Sequence, residues 1–397
     1  MLVDKILLEA EKLKEELISI RRALHEYAET GFELTETKAF VWEQLVDMGY
    51  VPEKCGKSGI VACVGNNKGK TFLLRADMDA LPIREEADVE YACTTGNMHA
   101  CGHDMHTTML LGAAKILKKY EYELEGNVKL MFQPAEELLE GSRDMISAGI
   151  LENPSVDAGL MIHVLSGVPI ESGTVIVSGP GISAPSADYF TIEIEGKGCH
   201  GSSPQDGVDA ALVSSYILIG LQELLAREIS IADRAIITIG SINAGEAHNV
   251  IAGTGILRGS MRTYDEELRK YLKRRIIEIS ENISNAYRAK ATIIFDSGTP
   301  CLINDKNLSE SIKGYLEDVV TVMGAKEKIA GGGSEDFAYI SQKIPTIMVA
   351  IAAGNPASGY IYPLHHPKVK FDESVLTIGS VVYSWSAIKY LQEKISG

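Results

Sequence analysis

The sequence predicts an α/β fold in which a mostly parallel central sheet is flanked by helices and a smaller α+β domain is inserted. Short apolar runs alternate with helical patterns over about the first 165 residues, which is typical of an α/β layer. A stretch rich in small residues and proline, 178–185, then marks a domain boundary. The strand pattern that follows alternates apolar and polar residues, as in a half-exposed antiparallel sheet. We therefore predict one domain from 1–183 and 297–397, and an inserted domain at 184–296.

In the first domain, apolar residues spaced three and four apart from Ile6 to Leu24 predict one amphipathic helix, which we interpret as packing. The other elements predicted for this domain are strands at 61–64 and 71–76 joined by a turn, a helix at about 107–120, a strand at 127–133, a helix at 142–148, strands at 158–163 and 346–352, and a last helix at 374–394.

In the inserted domain, Phe190, Ile192 and Ile194 alternate with polar residues and predict one buried sheet face. The segment 263–266 reads as a capping box that opens a helix. The remaining predicted elements are a helix at about 208–226 and strands at 234–242, 253–262 and 289–295.

Composition and charge restrict the classes of partner. The 397 residues are 45% hydrophobic, which suits a protein with two cores, and the formal net charge of −16 repels nucleic acid and anionic membranes. The N-terminus carries charges throughout, so it lacks the apolar core of a signal peptide, and no stretch approaches transmembrane length. Six scattered cysteines indicate reduced thiols. We expect a cytoplasmic protein.

Residues 98–106 concentrate one thiol, three imidazoles and one carboxylate within nine positions, which core packing does not require. Cys101 and His103 are spaced to bind one ion, because Gly102 between them permits a tight approach. A histidine-rich loop without a metal is the plainer interpretation, and a nucleophilic Cys101 activated by histidine is the rival chemistry. The nonapeptide predicts half of a metal site.

Three distant segments supply the other half. Glu136 and Glu137 leave a buried strand, so one carboxylate can bind metal while the other faces the reacting water. His163 ends an apolar run, and His365-His366 lies in a proline-bounded loop. Each alone has an ordinary explanation, as a helix start, a buried histidine or a surface loop. Their convergence at predicted strand ends indicates a metal-assisted hydrolase, with a metal-binding scaffold without activity as the alternative.

Two other motifs suggest nucleotide binding but lack its context. The segment 65–71 resembles a phosphate-binding loop, yet it joins two strands and has the wrong spacing. The segment 196–201 satisfies the dinucleotide fingerprint, yet no acid follows at the end of a second parallel strand. We therefore predict no nucleotide cofactor.

Taken together, five segments resemble the M20 family of metallopeptidases, and specifically its amidohydrolase branch, subfamily D: 74–82, 98–104, 132–137, 196–204 and 334–337. The resemblance runs from about Arg22 to Ser374. That branch acts on N-acyl amino acids and includes hippurate hydrolases and hydrolases of indole-acetyl amino acids. The resemblance implies amide hydrolysis of an N-acyl-L-amino acid, with a dipeptidase or an N-acetyl-diaminopimelate-type deacetylase as the alternative.

The resemblance also implies a two-metal catalytic domain and an inserted lid domain that mediates homodimerisation. The metals would be two divalent ions such as Mn, Zn, Co or Ni. By motif position, Cys101 would be the bridging ligand, and the other ligands would be His103, Glu137, His163 and His365. Glu136 would be the general base, and Asp79 would be the acid that supports the ligands. His200 would stabilise the oxyanion in a neighbouring subunit, and Asn249 and Arg262 would bind the substrate carboxylate. Asp77 stands where relatives outside this branch carry a ligating histidine. The choice of His365 over His366 rests on a His-x-Pro alignment.

Overall fold

The computed structural model describes residues 1–66, 68–324 and 333–393. These form two compact units. The first contains Met1–Ser183 and the described parts of Ile303–Ala330 and Asp336–Gly397, and the second contains Ala184–Leu302 and the described part of Gly331–Glu335.

The strands, in chain order, are β1 (Glu53–Cys55), β2 (Gly59–Gly65), β3 (Thr71–Asp77), β4 (Asn127–Gln133), β5 (Ala158–Leu165), β6 (Val175–Val177), β7 (Gly181–Ala184), β8 (Ser186–Glu195), β9 (Cys199–His200), β10 (Ala235–Ala244), β11 (Val250–Ile251), β12 (Thr254–Thr263), β13 (Lys290–Thr299), β14 (Leu302–Asn304), β15 (Val322–Gly324) and β16 (Thr346–Ala352). The α-helices are α1 (Leu2–Lys12), α2 (Lys14–Tyr27), α3 (Thr35–Asp47), α4 (His103–Lys119), α5 (Gly141–Ser147), α6 (Ala210–Glu223), α7 (Glu266–Ala286), α8 (Lys306–Leu316), α9 (Ala338–Ser341) and α10 (Leu376–Gln392).

The first unit is built on an eight-stranded sheet in the order β1-β2-β4-β3-β5-β16-β6-β15. The pairs β4/β3, β3/β5, β5/β16 and β6/β15 are parallel, and the other three neighbouring pairs are antiparallel. Every residue of β3 and β4 is buried, as expected for strands covered on both faces. Helix α4 packs against α10 and α2. The predicted α/β class with a mostly parallel sheet is confirmed.

The order of neighbouring strands was not predicted from the sequence, and one predicted helix was wrong in detail. Strands β2 and β3 are consecutive in the chain but do not pair, because β4 lies between them. The N-terminal helix is interrupted at Leu13 and forms α1 and α2. Leu13 is itself buried, so the apolar periodicity of the sequence continues through the interruption and does not reveal it.

The second unit contains a four-stranded antiparallel sheet in the order β10-β12-β8-β13, and α6 and α7 pack against it. Phe190, Ile192 and Ile194 are buried on one face, as their alternation predicts. The residue that caps α7 is Asp265, whose carboxylate accepts from the Leu268 amide, so the predicted capping box at 263–266 was placed too early. The sheet continues to the end of β13, beyond the predicted boundary at 296.

One helical segment of the second unit contradicts the expectation that no stretch of the chain approaches transmembrane length. The helical stretch Ala210–Glu228 has 19 residues and is long and apolar enough to cross a membrane by length and composition, with 33% of the window buried. It lies against the sheet through Val213, Ile217 and Leu221, and it exposes Leu212 and Ile219. Its apolar character therefore has two sources, a buried stripe and an exposed face.

Candidate metal centre

The carboxyl ends of β3 and β5 separate and open the space in which the site forms. Their pairing ends at Arg75 and Met161. Beyond that point the Tyr383 hydroxyl donates to the Arg75 carbonyl (2.5 Å) and accepts from the Ile162 amide (3.1 Å). Crevices at the carboxyl ends of parallel strands are where α/β folds place their sites. In this crevice β3 delivers Asp77 and β5 delivers His163.

Cys101 and His103 reach the crevice from a turn that opens a helix. Gly102 is left-handed (φ 85°), and a Cβ there would lie 2.4 Å from a Val164 methyl, so glycine is required for both conformation and space. His103 is the first residue of α4, four positions earlier than predicted. The pair therefore converges through a turn and a helix start.

The ligand atoms form two groups that share one thiol. The Cys101 sulfur lies 3.6 Å from His163 Nε2 and 3.3 Å from His365 Nε2. His365 Nε2 is 3.5 Å from Glu137 Oε1. Candidate ligand atoms lie within 4.8 Å of one another in the trio Cys101, His103 and His163, and also in the trio Cys101, Glu137 and His365. The five predicted ligands are thus brought together around the Cys101 sulfur.

Asp79 fixes the loop that carries the two glutamates. Its carboxylate oxygens accept from the backbone amides of Glu136 (3.0 Å) and Glu137 (3.1 Å), and its carbonyl accepts from His103 Nδ1 (2.8 Å). Ala135, directly before the pair, has φ 53°. A non-glycine residue in this region is strained, and such strain is held only where the surroundings fix the chain.

Strand alternation predicts that Glu136 and Glu137 point to opposite sides, but their carboxylates point to the same side. Glu136 Oε2 and Glu137 Oε1 lie 4.0 and 3.9 Å from the same atom, His103 Nε2. The turn at Ala135 accounts for this, because strand alternation no longer applies after it. Both carboxylates therefore face the ligand cluster.

His365 and His366 are separated by the conformation of their loop. His365 has φ 64°, and its amide donates to the Ala100 carbonyl (2.9 Å), which brings its ring to Cys101. The His366 ring stacks on Tyr362 with centroids 4.3 Å apart, and its Nδ1 accepts from the Lys368 amide. Of the two histidines, the geometry places His365 at the cluster.

The chemistry of this donor set fits divalent cations. Among the described residues, His103 Nε2 and Glu137 Oε1 are buried without a hydrogen-bond partner, and both point into the cluster. Burial raises the pKa of Glu137 to about 7, even though His103 opposes that shift. For His103, burial alone would lower the pKa, but Asp77, Asp79 and Cys101 raise it well above its usual value. A buried carboxylate whose pKa is raised in this way is stabilised as the anion by nearby positive charge, which metal ions supply.

The rival role of Cys101 as a free nucleophile fits poorly. Burial raises the pKa of its thiol well above the ordinary value, despite the opposing effect of His103. A thiol needs a lowered pKa to be an effective nucleophile at neutral pH. A thiolate at this position requires a cation beside it.

The network of hydrogen bonds and ion pairs around Asp77, which supports the ligand cluster, was not predicted from the sequence. His106 Nδ1 lies 2.6 Å from Asp77, and its Nε2 accepts from the Val164 amide (2.8 Å). Burial lowers the pKa of His106 to about 4, which keeps this ring neutral. Arg75 donates to Asp77 (2.7 Å) and lies 3.3 Å from Asp336. The available signal was the spacing of His103 and His106, which puts both rings on one helix face.

The second unit holds the three remaining predicted site residues in two places. His200 in β9 pairs with Val250 in β11, next to Asn249, and the Gly201 amide donates to the Asn249 carbonyl (2.8 Å). Arg262 lies near the other end of β12, where it donates to the Ser334 hydroxyl (2.9 Å). Arg262 is eight residues, or roughly 26 Å, beyond the start of β12, whereas Asn249 and the β9/β11 pair lie outside that strand.

Comparisons with known proteins indicate the family of this chain. The profile of Peptidase family M20/M25/M40 matches residues 73–386. The N-acetyl-L-cysteine deacetylase of Bacillus subtilis (strain 168) is 37% identical over 388 residues, covering 96% of this chain and 89% of that protein. The IAA-amino acid hydrolase ILR1-like 4 of Arabidopsis thaliana is 34% identical, covering 95% and 86%.

A solved structure extends the likeness to the fold. The Bacillus subtilis YXEP protein, described as a dinuclear metal binding peptidase from the M20 family, superposes with a TM-score of 0.78 at 30% identity, covering 96% of this chain and 99% of that one. With sequence relatives above 30% identity along nearly its whole length and a profile match over most of it, this chain belongs to Peptidase family M20/M25/M40.

Proposed function

We propose that this chain hydrolyses the amide bond of N-acyl-L-amino acids with two divalent metal ions, and that Glu136 moves the proton. The observation that carries the proposal is the sharing of Cys101 by two candidate ligand trios, and Glu136 lies beside them in a third trio, with His103 and Glu137, that lacks the thiol. Membership of family M20 makes the chain a metal-dependent amide hydrolase, and the finer assignment concerns substrate, residue roles and assembly.

The residues that would hold the metals divide into two sets with a common thiolate. Cys101, His103 and His163 form one set, and Cys101, Glu137 and His365 form the other. Bound there, the metals would polarise the scissile carbonyl and lower the pKa of the attacking water. Mixed S, N and O donors accommodate Mn, Zn, Co or Ni.

Glu136 is the residue best placed to accept the water's proton and to pass it to the leaving amine. Its carboxylate is buried beside the cluster, and its backbone is fixed by Asp79. A general base must be held within reach of the proton it removes, and an anchored loop provides that. His200 would stabilise the negative charge that develops on the carbonyl oxygen.

Two relatives support a substrate with a free α-carboxylate, because their names refer to N-acetyl-L-cysteine and to IAA-amino acids. Arg262 suits that carboxylate, since its planar guanidinium can bind both oxygens. Its present partners include the hydroxyls of Ser334 and Tyr189, which a carboxylate could replace. Asn249 is the second carboxylate binder in this proposal.

The spacing within the second unit supports a homodimer that completes the site. Arg262 lies roughly 26 Å along β12 from the start of that strand, and His200 and Asn249 lie outside the strand, whereas a small N-acyl amino acid is much shorter than β12. We infer that one subunit supplies Arg262 and its partner supplies His200 and Asn249. The exposed apolar residues Leu212 and Ile219 of α6 offer a surface for such an association.

A substrate panel tests the proposal. N-acetyl, N-benzoyl and indole-acetyl amino acids, together with dipeptides, are assayed with metal-replete and chelator-treated protein. We expect turnover of N-acyl amino acids that requires metal and is weak for the matching N-acyl amines, which lack the carboxylate. Turnover of dipeptides alone, or activity that survives complete metal removal, would contradict the proposal.

A further inference from the structure

The N-terminal helix α2 carries a buried charged cluster that packing does not explain. Arg21 and His25 lie one turn apart on the same face, and each is only 2% exposed. Buried charges are costly unless they are paired and hydrogen-bonded. Two buried titratable side chains on a helix assigned to packing therefore need another explanation.

Both ring nitrogens of His25 face carboxylates. Nδ1 lies 2.7 Å from Asp104 Oδ2, and Nε2 lies 3.1 Å from each oxygen of Glu85. Since a carboxylate only accepts hydrogen bonds, both contacts are attractive only when each nitrogen carries a proton. His25 therefore bridges two buried acids, and Arg21 Nη2 also lies 3.3 Å from its Nδ1.

Other charges around the ring act on its protonation in both directions. Arg21 lies 2.8 Å from Asp104 through Nε, and the Tyr91 ring meets His25 edge-on at 5.4 Å. Burial and Arg21 each lower the pKa of His25, but the hydrogen bonds to Asp104 and Glu85 outweigh them and raise it. The carboxylates therefore favour the protonated ring, and the second cation beside it opposes them.

The two acids belong to the segments that flank the metal ligands. Asp104 directly follows His103 in the first turn of α4. Glu85 lies in the segment 82–97, whose ends are closed by paired hydrogen bonds between Leu81 and Met98. Within that segment, Glu85 also accepts from the Cys93 amide (2.8 Å). His25 therefore ties the start of α4 to the segment that precedes Cys101.

The chain that leaves α2 supports the site from the same side. The Ala80 amide donates to the Glu29 carbonyl (2.7 Å), and the Ala135 amide donates to the Gly31 carbonyl (3.1 Å). Ala80 adjoins Asp79, and Ala135 adjoins Glu136. The N-terminal segment thus contacts each loop that carries the acids of the metal centre.

We propose that His25 is a positioning residue for the metal centre, whose bridge between Asp104 and Glu85 sets where Cys101 and His103 present their ligand atoms. The inference rests on the proposed metal site. It assigns to His25 no contact with substrate or with metal. Groups that orient metal ligands typically change metal affinity about 10–100-fold when they are removed, and we expect the lower end because His25 acts through Asp104.

The test is a titration of metal-free full-length protein with Co²⁺, which reports both affinity and the thiolate-to-cobalt absorption band. In His25→Gln, a neutral amide replaces the cation, and we expect about 10-fold weaker binding together with a shifted or weakened band. Unchanged affinity and an unchanged band would overturn the proposal. Failure of the wild-type protein to bind Co²⁺ would instead overturn the proposed function.

Lys129→Met is the matched control for a purely structural effect. Lys129 is a buried cation of the same unit, and its ammonium donates to the carbonyls of Ile150, Glu152 and Pro154. This variant should lower the thermal midpoint of the metal-free protein while leaving Co²⁺ affinity unchanged. If His25→Gln behaves in the same way, the residue is structural and the proposal is wrong.

A second variant keeps the test decisive if His25→Gln does not fold. Glu85→Gln retains the acceptor for the Cys93 amide and removes one of the two charges that hold the imidazolium. We expect weaker Co²⁺ binding in the same direction. Binding identical to wild type would count against the bridge.

Discussion

The metal centre of the first unit and the recognition residues of the second unit are organised in opposite ways. In the first, Cys101, His103 and Glu136 are buried, and their surroundings fix them through Asp79, Asp77 and the N-terminal segment. In the second, His200 is exposed, and its Nδ1 accepts from Ser202 two residues away. A cluster built inside one unit can be preorganised, whereas residues on an exposed surface acquire their role when another surface meets them.

This contrast explains why the two regions should respond differently to mutation. Removing a group from the preorganised cluster changes chemistry or metal binding directly, because its neighbours cannot move to replace it. Removing a group from the exposed region should act through substrate and assembly, and it can be complemented by a second chain. The predictions below test each side of the contrast.

The largest effect is expected for Glu136→Gln. The amide cannot accept the water's proton, so kcat should fall about 10²–10⁴-fold. Metal content, measured by elemental analysis, should remain at the wild-type level because Glu136 belongs to neither trio that shares Cys101. Glu137→Gln is the matched control and should lose metal. Turnover close to wild type in Glu136→Gln would remove this residue from the mechanism.

A smaller loss, about 10²-fold in kcat, is expected for His200→Ala, because one donor to the developing oxyanion is removed. The protein should keep its oligomeric state by size-exclusion chromatography with light scattering. When it is refolded or exchanged with Glu136→Gln, mixed dimers should regain activity, since one site then has both groups. Absence of any recovery in verified mixed dimers would show that His200 acts within its own chain.

The smallest effect concerns pH. Burial raises the pKa of Glu137 to about 7 and raises that of the Cys101 thiol, so the metal-free site holds protons that metal must displace. Metal affinity should therefore fall as pH drops below about 7, by up to about tenfold per pH unit for each displaced proton. Above pH 7 the affinity should continue to rise because the thiol proton is still displaced. Competition with a chelator between pH 6 and 8 measures this, and a flat profile would contradict it.

The sequence predicted much of the fold because its strongest signals are periodic and local. The apolar run of β4 and the alternation in β8 matched the observed strands, since burial on two faces or on one face leaves a direct trace in residue order. The position of β4 between β2 and β3 produces no such pattern in the sequence. Long-range order in a sheet depends on packing between segments that are distant in the chain.

For the site, residue chemistry indicated the ligands, but backbone conformation decided their directions. The turn at Ala135 places both glutamates beside His103, and the left-handed His365 separates it from its neighbour. A left-handed conformation is uncommon for any residue other than glycine, so propensity could not predict either turn. The charged bridge at His25 was overlooked for a related reason, because its helix periodicity alone suggested a packing helix.

The central claim is that the Cys101 sulfur is shared by two metal ions. Anomalous diffraction from crystals of metal-loaded protein, collected at the absorption edge of the bound metal, tests it directly. The account predicts two peaks in the first unit, each within bonding distance of Cys101, with His103 and His163 at one and Glu137 and His365 at the other. A single peak, or two peaks of which either lies beyond the reach of that sulfur, would contradict it.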